Sequence, residues 1–150
     1  MGLEKDINQT KFRNSYQKAG INFIYTCNWI NEKMKLFFDN HDITQQQFNI
    51  LRILRGADKP LSTLQIRHRM LDKMSDTSRI VDRLVIKGLT KKAICKEDKR
   101  MVDVFITEKG KKLLAKIDAQ QDELDGVLNN LSEADINTLN KLLDKIREAG

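Results

Sequence analysis

At Leu89 the chain changes period, and that change constrains its fold more than any other feature. Before it, apolar residues recur at helical spacing. From Leu89 to Cys95, and again from Met101 to Ile106, the pattern is that of short strands, with Val102, Val104 and Ile106 alternating with Met101, Asp103 and Phe105. Two such runs around the polar tip Lys96-Glu97-Asp98-Lys99-Arg100 spell a small hairpin. Seven glycines and one proline in 150 residues supply few turns, which disfavours a many-stranded sheet.

What precedes the hairpin is a series of helix starts. Apolar residues from Tyr16 to Phe38 keep helical spacing through Ile21, Ile24, Cys27, Ile30 and Met34. Thr44 with Gln47, Ser62 with Gln65 and Ser132 with Asp135 are capping boxes, each a hydroxyl followed three residues on by a side chain that reaches back. They open helices at about 44–55, 62–71 and 132–148. Gly56 is expected to end the first in a left-handed cap. Ser75 is expected to cap a helix at about 75–87, closed by Gly88. Thr107 caps a long helix, about 107–128, with Leu113, Leu114, Ile117, Leu124, Val127 and Leu128 on one face. The polar segment Met1–Phe12 is expected to fray.

Two helices joined through about three residues, Asp72–Met74, directly before a hairpin describe a winged helix-turn-helix. The expected fold is mainly α, with a small β-hairpin wing and with N- and C-terminal helices forming a dimerisation lobe. One domain spans 1–150. The dimerisation helices fall at about 16–38 and 107–148, and the DNA-binding lobe at about 44–106. A chain of this length has few other elements to cover the apolar stripes of both terminal helices, which points to a C2 homodimer. The alternative is that the terminal helices pack only on each other.

Charge locates the partner. From Arg67 to Arg100 there are eleven Lys/Arg and five Asp/Glu, so this segment holds the whole net charge of +6. Elsewhere the count is 16 against 16. A basic block on a balanced background is the footprint of a nucleic-acid contact, or else a solvated surface that leans positive. The second helix of the motif should bury Ile80, Val81, Leu84 and Thr77. It should turn Ser75, Arg79, Asp82, Arg83 and Ile86 outward, with Asp76 and Ser78 at its N-terminal turn. Arg79 is the candidate to bridge guanine O6 and N7, and Arg83 to do the same or to hold a phosphate. The competing reading is a surface held by Asp82 pairing with Arg79 or Arg83. Ile86 is expected to pack under the hairpin. At the tip, Arg100 suits a narrow minor groove, Asp98 can fix its guanidinium by a bidentate pair, and Lys96 and Lys99 would meet phosphates.

The run Asp98-Lys99-Arg100-Met101-Val102-Asp103-Val104-Phe105-Ile106-Thr107-Glu108-Lys109-Gly110 resembles the wing signature of the MarR family, an Asp-x-Arg followed by a strand and Thr-x-x-Gly. Ser75–Leu84, running on to Lys87-Gly88-Leu89, is similar to that family's recognition helix. The likeness extends from about Tyr16 to Arg147 in helix order, with Ile106 where leucine is commoner. It implies a single MarR-like domain and a homodimeric transcriptional regulator of double-stranded DNA. By this resemblance the terminal helices form the interface and Arg100 is the minor-groove residue that Asp98 orients.

The remaining features exclude more than they assign. Cys27 and Cys95 make no disulfide framework, and Cys27 is expected to be a buried structural cysteine. A redox-sensing regulator acting through Cys27 is one alternative function. A winged-helix module for an acidic protein partner is another, kept open by Asp76 and Asp82. Tyr25, Trp29 and Phe48 are candidates to line a pocket for a small-molecule effector, although aromatic stripes are more often core. His41 and His68 lack ligand-spaced partners, so no metal and no cofactor is expected. No phosphate loop, nucleophile–base pair or paired carboxylates point to an enzyme. There is no secretory h-region and no run of the ~20 apolar residues that span a bilayer, so the expected setting is cytoplasmic, without membrane contact.

Overall fold

The computed structural model describes residues 2–148 and divides into two compact units, one extending to Leu114 and one starting at Ala115. The first unit begins with a one-turn helix, α1 (Leu3–Asp6), where fraying was expected. Leu3 is buried, and an ion pair between Glu4 and Lys18 ties the turn down. Then comes α2 (Ser15–Asp39), started by Asn14, whose side chain accepts from the Gln17 amide at 2.9 Å. Of its 25 residues only Phe37 and Phe38 are buried.

The capping boxes at Thr44 and Ser62 form as their sequences require, opening α3 (Gln45–Gly56) and α4 (Thr63–Arg69). Gly56 is not a left-handed cap. It is the last helical residue, and the chain leaves through an extended Ala57. The helix α5 (Thr77–Ile86) is capped by Asp76, not Ser75: Asp76 Oδ1 accepts from the Arg79 amide at 3.2 Å. Ser75 instead donates its hydroxyl to the Asp72 carbonyl at 2.7 Å. The turn between the helices is longer than expected, because α4 stops before an extended, buried Met70. Asp72 then accepts from the Met74 amide and builds a polar turn.

Two strands, β2 (Thr90–Ile94) and β3 (Val102–Ile106), make the hairpin. A third was not foreseen. Residues Leu61–Ser62 form β1, which pairs antiparallel with β3 through Leu61↔Val104 and Ser62↔Asp103, in the order β1-β3-β2. The core of this unit gathers Ile50, Leu51 and Leu54 of α3, Ile66 of α4, Val81 and Leu84 of α5, and Leu61 and Val104 of the sheet. Each of these side chains brings roughly 1.5–3 kcal/mol of burial relative to exposure.

The Thr-x-x-Gly run locks the base of the hairpin to the end of α5. Gly88, at φ +74°, turns the chain out of α5. Thr107 Oγ1 donates to the Gly88 carbonyl at 2.7 Å and accepts from the Gly110 amide at 3.1 Å, capping α6 (Glu108–Asp118). A Cβ on Gly110 would stand 2.5 Å from the Leu89 carbonyl oxygen and 2.8 Å from Ile106, so only glycine lets the helix start this close.

The helix expected over 107–128 is not continuous. It stops at Asp118, where the Gln120 amide bonds back to the Ile117 carbonyl, and resumes as α7 (Gln121–Asp125) and a 3₁₀ turn, Gly126–Leu128. In the second unit, α8 (Glu133–Glu148) opens with the reciprocal Ser132–Asp135 box. Leu142 and Ile146 lie exposed on it.

Candidate nucleic-acid interface

The side chains of α5 divide as its periodicity demands. Thr77, Val81 and Leu84 are buried and Ile80 is half-buried, while Ser78, Arg79, Asp82, Arg83 and Ile86 are exposed. Ile86 does not pack under the hairpin; at 85% exposure it belongs to the outward face. Asp82 pairs with neither arginine. Its Oδ1 accepts from Lys92 Nζ on β2, so the strand neutralises the carboxylate. Arg79 and Arg83 make no ion pair among the described residues. Asp76 is engaged by its capping bond. Ser75, Asp76 and Ser78 line a groove of about 470 Å³ with Thr63 and Arg67 of α4. The sequence reading did not single out Arg67 or Lys92. The basic block contained both, but only packing shows which lysine meets Asp82.

The wing tip is built on one carboxylate. Asp98 Oδ1 accepts from the Arg100 amide at 3.0 Å and from its Nε at 3.2 Å, and Oδ2 accepts from Nη2 at 3.4 Å. The expected bidentate pair is present. The Arg100 side-chain hydrogen bond, followed by the backbone one, holds the Asp98 carboxyl below its usual range. The Arg100 side chain is 90% exposed and points its remaining donors to solvent. Met101 returns its amide to the Asp98 carbonyl at 3.0 Å and so closes the turn. Lys96 and Lys99 are exposed beside it. On β2, Lys91 lies over the Phe105 ring at 5.7 Å.

The other sequence candidates lie on and around α2. Cys27 is exposed rather than buried, because the middle of α2 has no cover in this chain. It accepts from Asn31 Nδ2 at 3.7 Å and lines a cavity of about 660 Å³ with Lys35, Phe38, Ile43, Asn49, Met70 and Leu71. Tyr25, Trp29 and Phe48 do not line this cavity. Tyr25 and Trp29 are exposed on α2, and Phe48 stacks on Phe38 at 4.6 Å. Among the described residues no cluster of His, Cys, Asp or Glu is suited to a metal ion, and no helix is long and apolar enough to cross a membrane.

A paired α4 and α5, an antiparallel three-stranded sheet and a charged wing define a winged helix-turn-helix protein. Solved structures narrow the class. AbsC, a MarR family transcriptional regulator from Streptomyces coelicolor, matches with a TM-score of 0.80 at 17% identity, over 93% of this chain and 97% of that one. A mutant MarR from E. coli complexed with operator DNA matches at 0.80 and 24% identity, over 91% and 99%. MepR from S. aureus in a DNA complex matches at 0.78 and 22% identity, over 93% and 100%. The chain has the fold of the MarR family of transcriptional regulators. No protein-family model and no curated protein matches the sequence.

Proposed function

We propose that this chain is a sequence-specific regulator of transcription, not an enzyme, that acts in the cytoplasm and binds double-stranded DNA through α5 and the wing. The observation that carries this reading is the pairing pattern of the charges. Three acidic groups on the proposed surface are engaged, Asp76 as a cap, Asp82 by Lys92 and Asp98 by Arg100, and Glu97 at the tip lies between Lys96 and Lys99 in the sequence. Arg79, Arg83 and most of Arg100 stay available to a polyanion. Ser75, Ser78, Lys96 and Lys99 supply phosphate contacts on either side. The two similar structures that contain DNA support the same use of the fold.

The regulator acts as a homodimer and represses from a pseudo-palindromic operator. A second copy would cover the apolar side chains left exposed on α2, Phe23 and Ile24 among them, and separately those on α8. Two recognition helices would then meet half-sites roughly 34–36 Å apart. An effector would enter the cavity beside Cys27 and release DNA by favouring a different spacing of those helices. Fluorescence anisotropy with random duplex at low salt tests the central claim. Binding is expected, with a log–log salt slope of about −0.9 per phosphate contacted. A chain that ignores duplex at low salt is not a DNA-binding protein.

A second reading has an observation of its own. Cys27 is exposed at a cavity wall, as a redox-sensing thiol would need to be. Peroxide should then release operator from the wild type and not from Cys27→Ser; equal release from both removes the thiol from the mechanism. The acidic-partner reading loses its support, since Asp76 and Asp82 are both engaged within the chain.

A further inference from the structure

A carboxylate on the outward face of a DNA-reading helix needs a reason, because phosphates on both sides repel it. Asp82 sits near the middle of that face. Arg79 lies one turn before it and Ile86 one turn after, and the Asp82 side chain is 58% exposed. Lys92 removes the repulsion: its ammonium binds Oδ1, and the pair approaches DNA without net charge. Because Lys92 is held on β2, it also restricts where the carboxylate can point. Oδ2 has no donor among the described residues, so a directed acceptor faces outward.

The major groove offers such an acceptor few partners. Guanine presents O6 and N7, both acceptors, and thymine presents O4 and a methyl group. Adenine presents an amino group beside the acceptor N7. Cytosine presents the N4 amino donor alone. Building on the DNA-binding reading above, we propose that Asp82 is a specificity-determining residue that accepts a hydrogen bond from cytosine N4, and that Lys92 positions and neutralises it. Arg79, three residues earlier on the same face, is matched to guanine acceptors. One turn of α5 therefore asks for a donor and for acceptors at neighbouring base pairs.

The test is selection of bound duplexes from a random library by the full chain, comparing wild type with D82N, D82A, K92M and K92R. Wild type should enrich cytosine at one position. D82N should move that position to adenine, because an amide pairs with N6 and N7 together. D82A should flatten that position alone, at a loss of about tenfold, within the cost of one mismatched pair. K92M should keep cytosine with weaker discrimination, and K92R should restore it. Circular dichroism of each variant confirms folding, as both side chains are at the surface. An unchanged wild-type motif in D82N and D82A overturns the inference and leaves the DNA-binding reading standing. A motif altered at every position also overturns it, since Asp82 would then merely hold the helix to the strand. A wild type that enriches no DNA removes the DNA-binding reading, and this inference with it.

Discussion

Two helices of this protein expose a face to solvent, and the faces ask for opposite partners. On α5 the exposed positions are Ser78, Arg79, Asp82 and Arg83, with two apolar residues, Val85 and Ile86. On α2 they include Tyr16, Phe23, Ile24, Trp29 and Leu36. A charged face that leaves its arginines unpaired suits a polyanion. Exposed apolar side chains, Tyr16, Phe23 and Ile24 on one side of α2 and Trp29 and Leu36 on the other, suit other apolar surfaces, because water gains when both are covered. Under the proposed function the two faces serve two different partners, and the two should respond to perturbation independently.

The largest effect expected is that of salt. Raising ionic strength from about 50 to about 200 mM should weaken DNA binding by about three to five orders of magnitude if roughly 6–10 phosphates are contacted. Self-association through α2 should hold or strengthen over the same range. Anisotropy and sedimentation on one sample series measure both, and parallel responses would break the comparison. Next is Ile24→Asp, which places an unpaired charge on the apolar face. It should cost about 3–5 kcal/mol of dimer stability, seen as monomer in sedimentation, while random-duplex binding at low salt persists. Arg79→Ala is smaller. It should relax base preference by roughly 1–3 kcal/mol in competition titrations and leave the oligomeric state untouched.

The smallest effect concerns pH at the wing. Asp98 titrates below its usual range because Arg100 bonds its carboxylate. A lowered folded value means the pair is intact above the ordinary carboxyl range and is lost only as pH falls through the lowered value. Between about pH 4 and 8 the affinity difference between wild type and Asp98→Asn should therefore stay constant, as anisotropy at fixed salt will show. A difference that already fades at about pH 4, where an ordinary aspartate is partly protonated, would mean that Arg100 does not hold Asp98 in solution.

The elements that were legible in the sequence share one property, short reach. The Thr44–Gln47 and Ser62–Gln65 boxes join residues three apart, Asp98 grips Arg100 two residues on, and Gly88 turns the chain by its own φ. Backbone geometry alone brings such groups together. Where the structure departs from the sequence pattern, the causes differ from place to place. Ser75 and Asp76 are both good caps, and the choice fell to Asp76 because Asp72 engages the Ser75 hydroxyl. The apolar face expected over 107–128 is interrupted between Ile117 and Leu124 by Gln120 and Gln121, and the turn after Asp118 falls at that interruption. Cys27 fits a buried pattern, yet burial of α2 depends on a surface that this chain does not itself provide at that position.

The sequence by itself determined the helix starts at Thr44, Ser62 and Ser132, the hairpin and the Asp98–Arg100 pair, because each is an interaction between near neighbours on the backbone, and it carried the basic segment as composition. Tertiary structure alone decided that Leu61–Ser62 would be a strand, since its partners at Val104 and Asp103 come from the other side of two helices. It alone placed Lys92 on Asp82 and set Gly110 against the Leu89 carbonyl. Those contacts exist only after the core has closed and fixed the distances between elements, and no local periodicity encodes them.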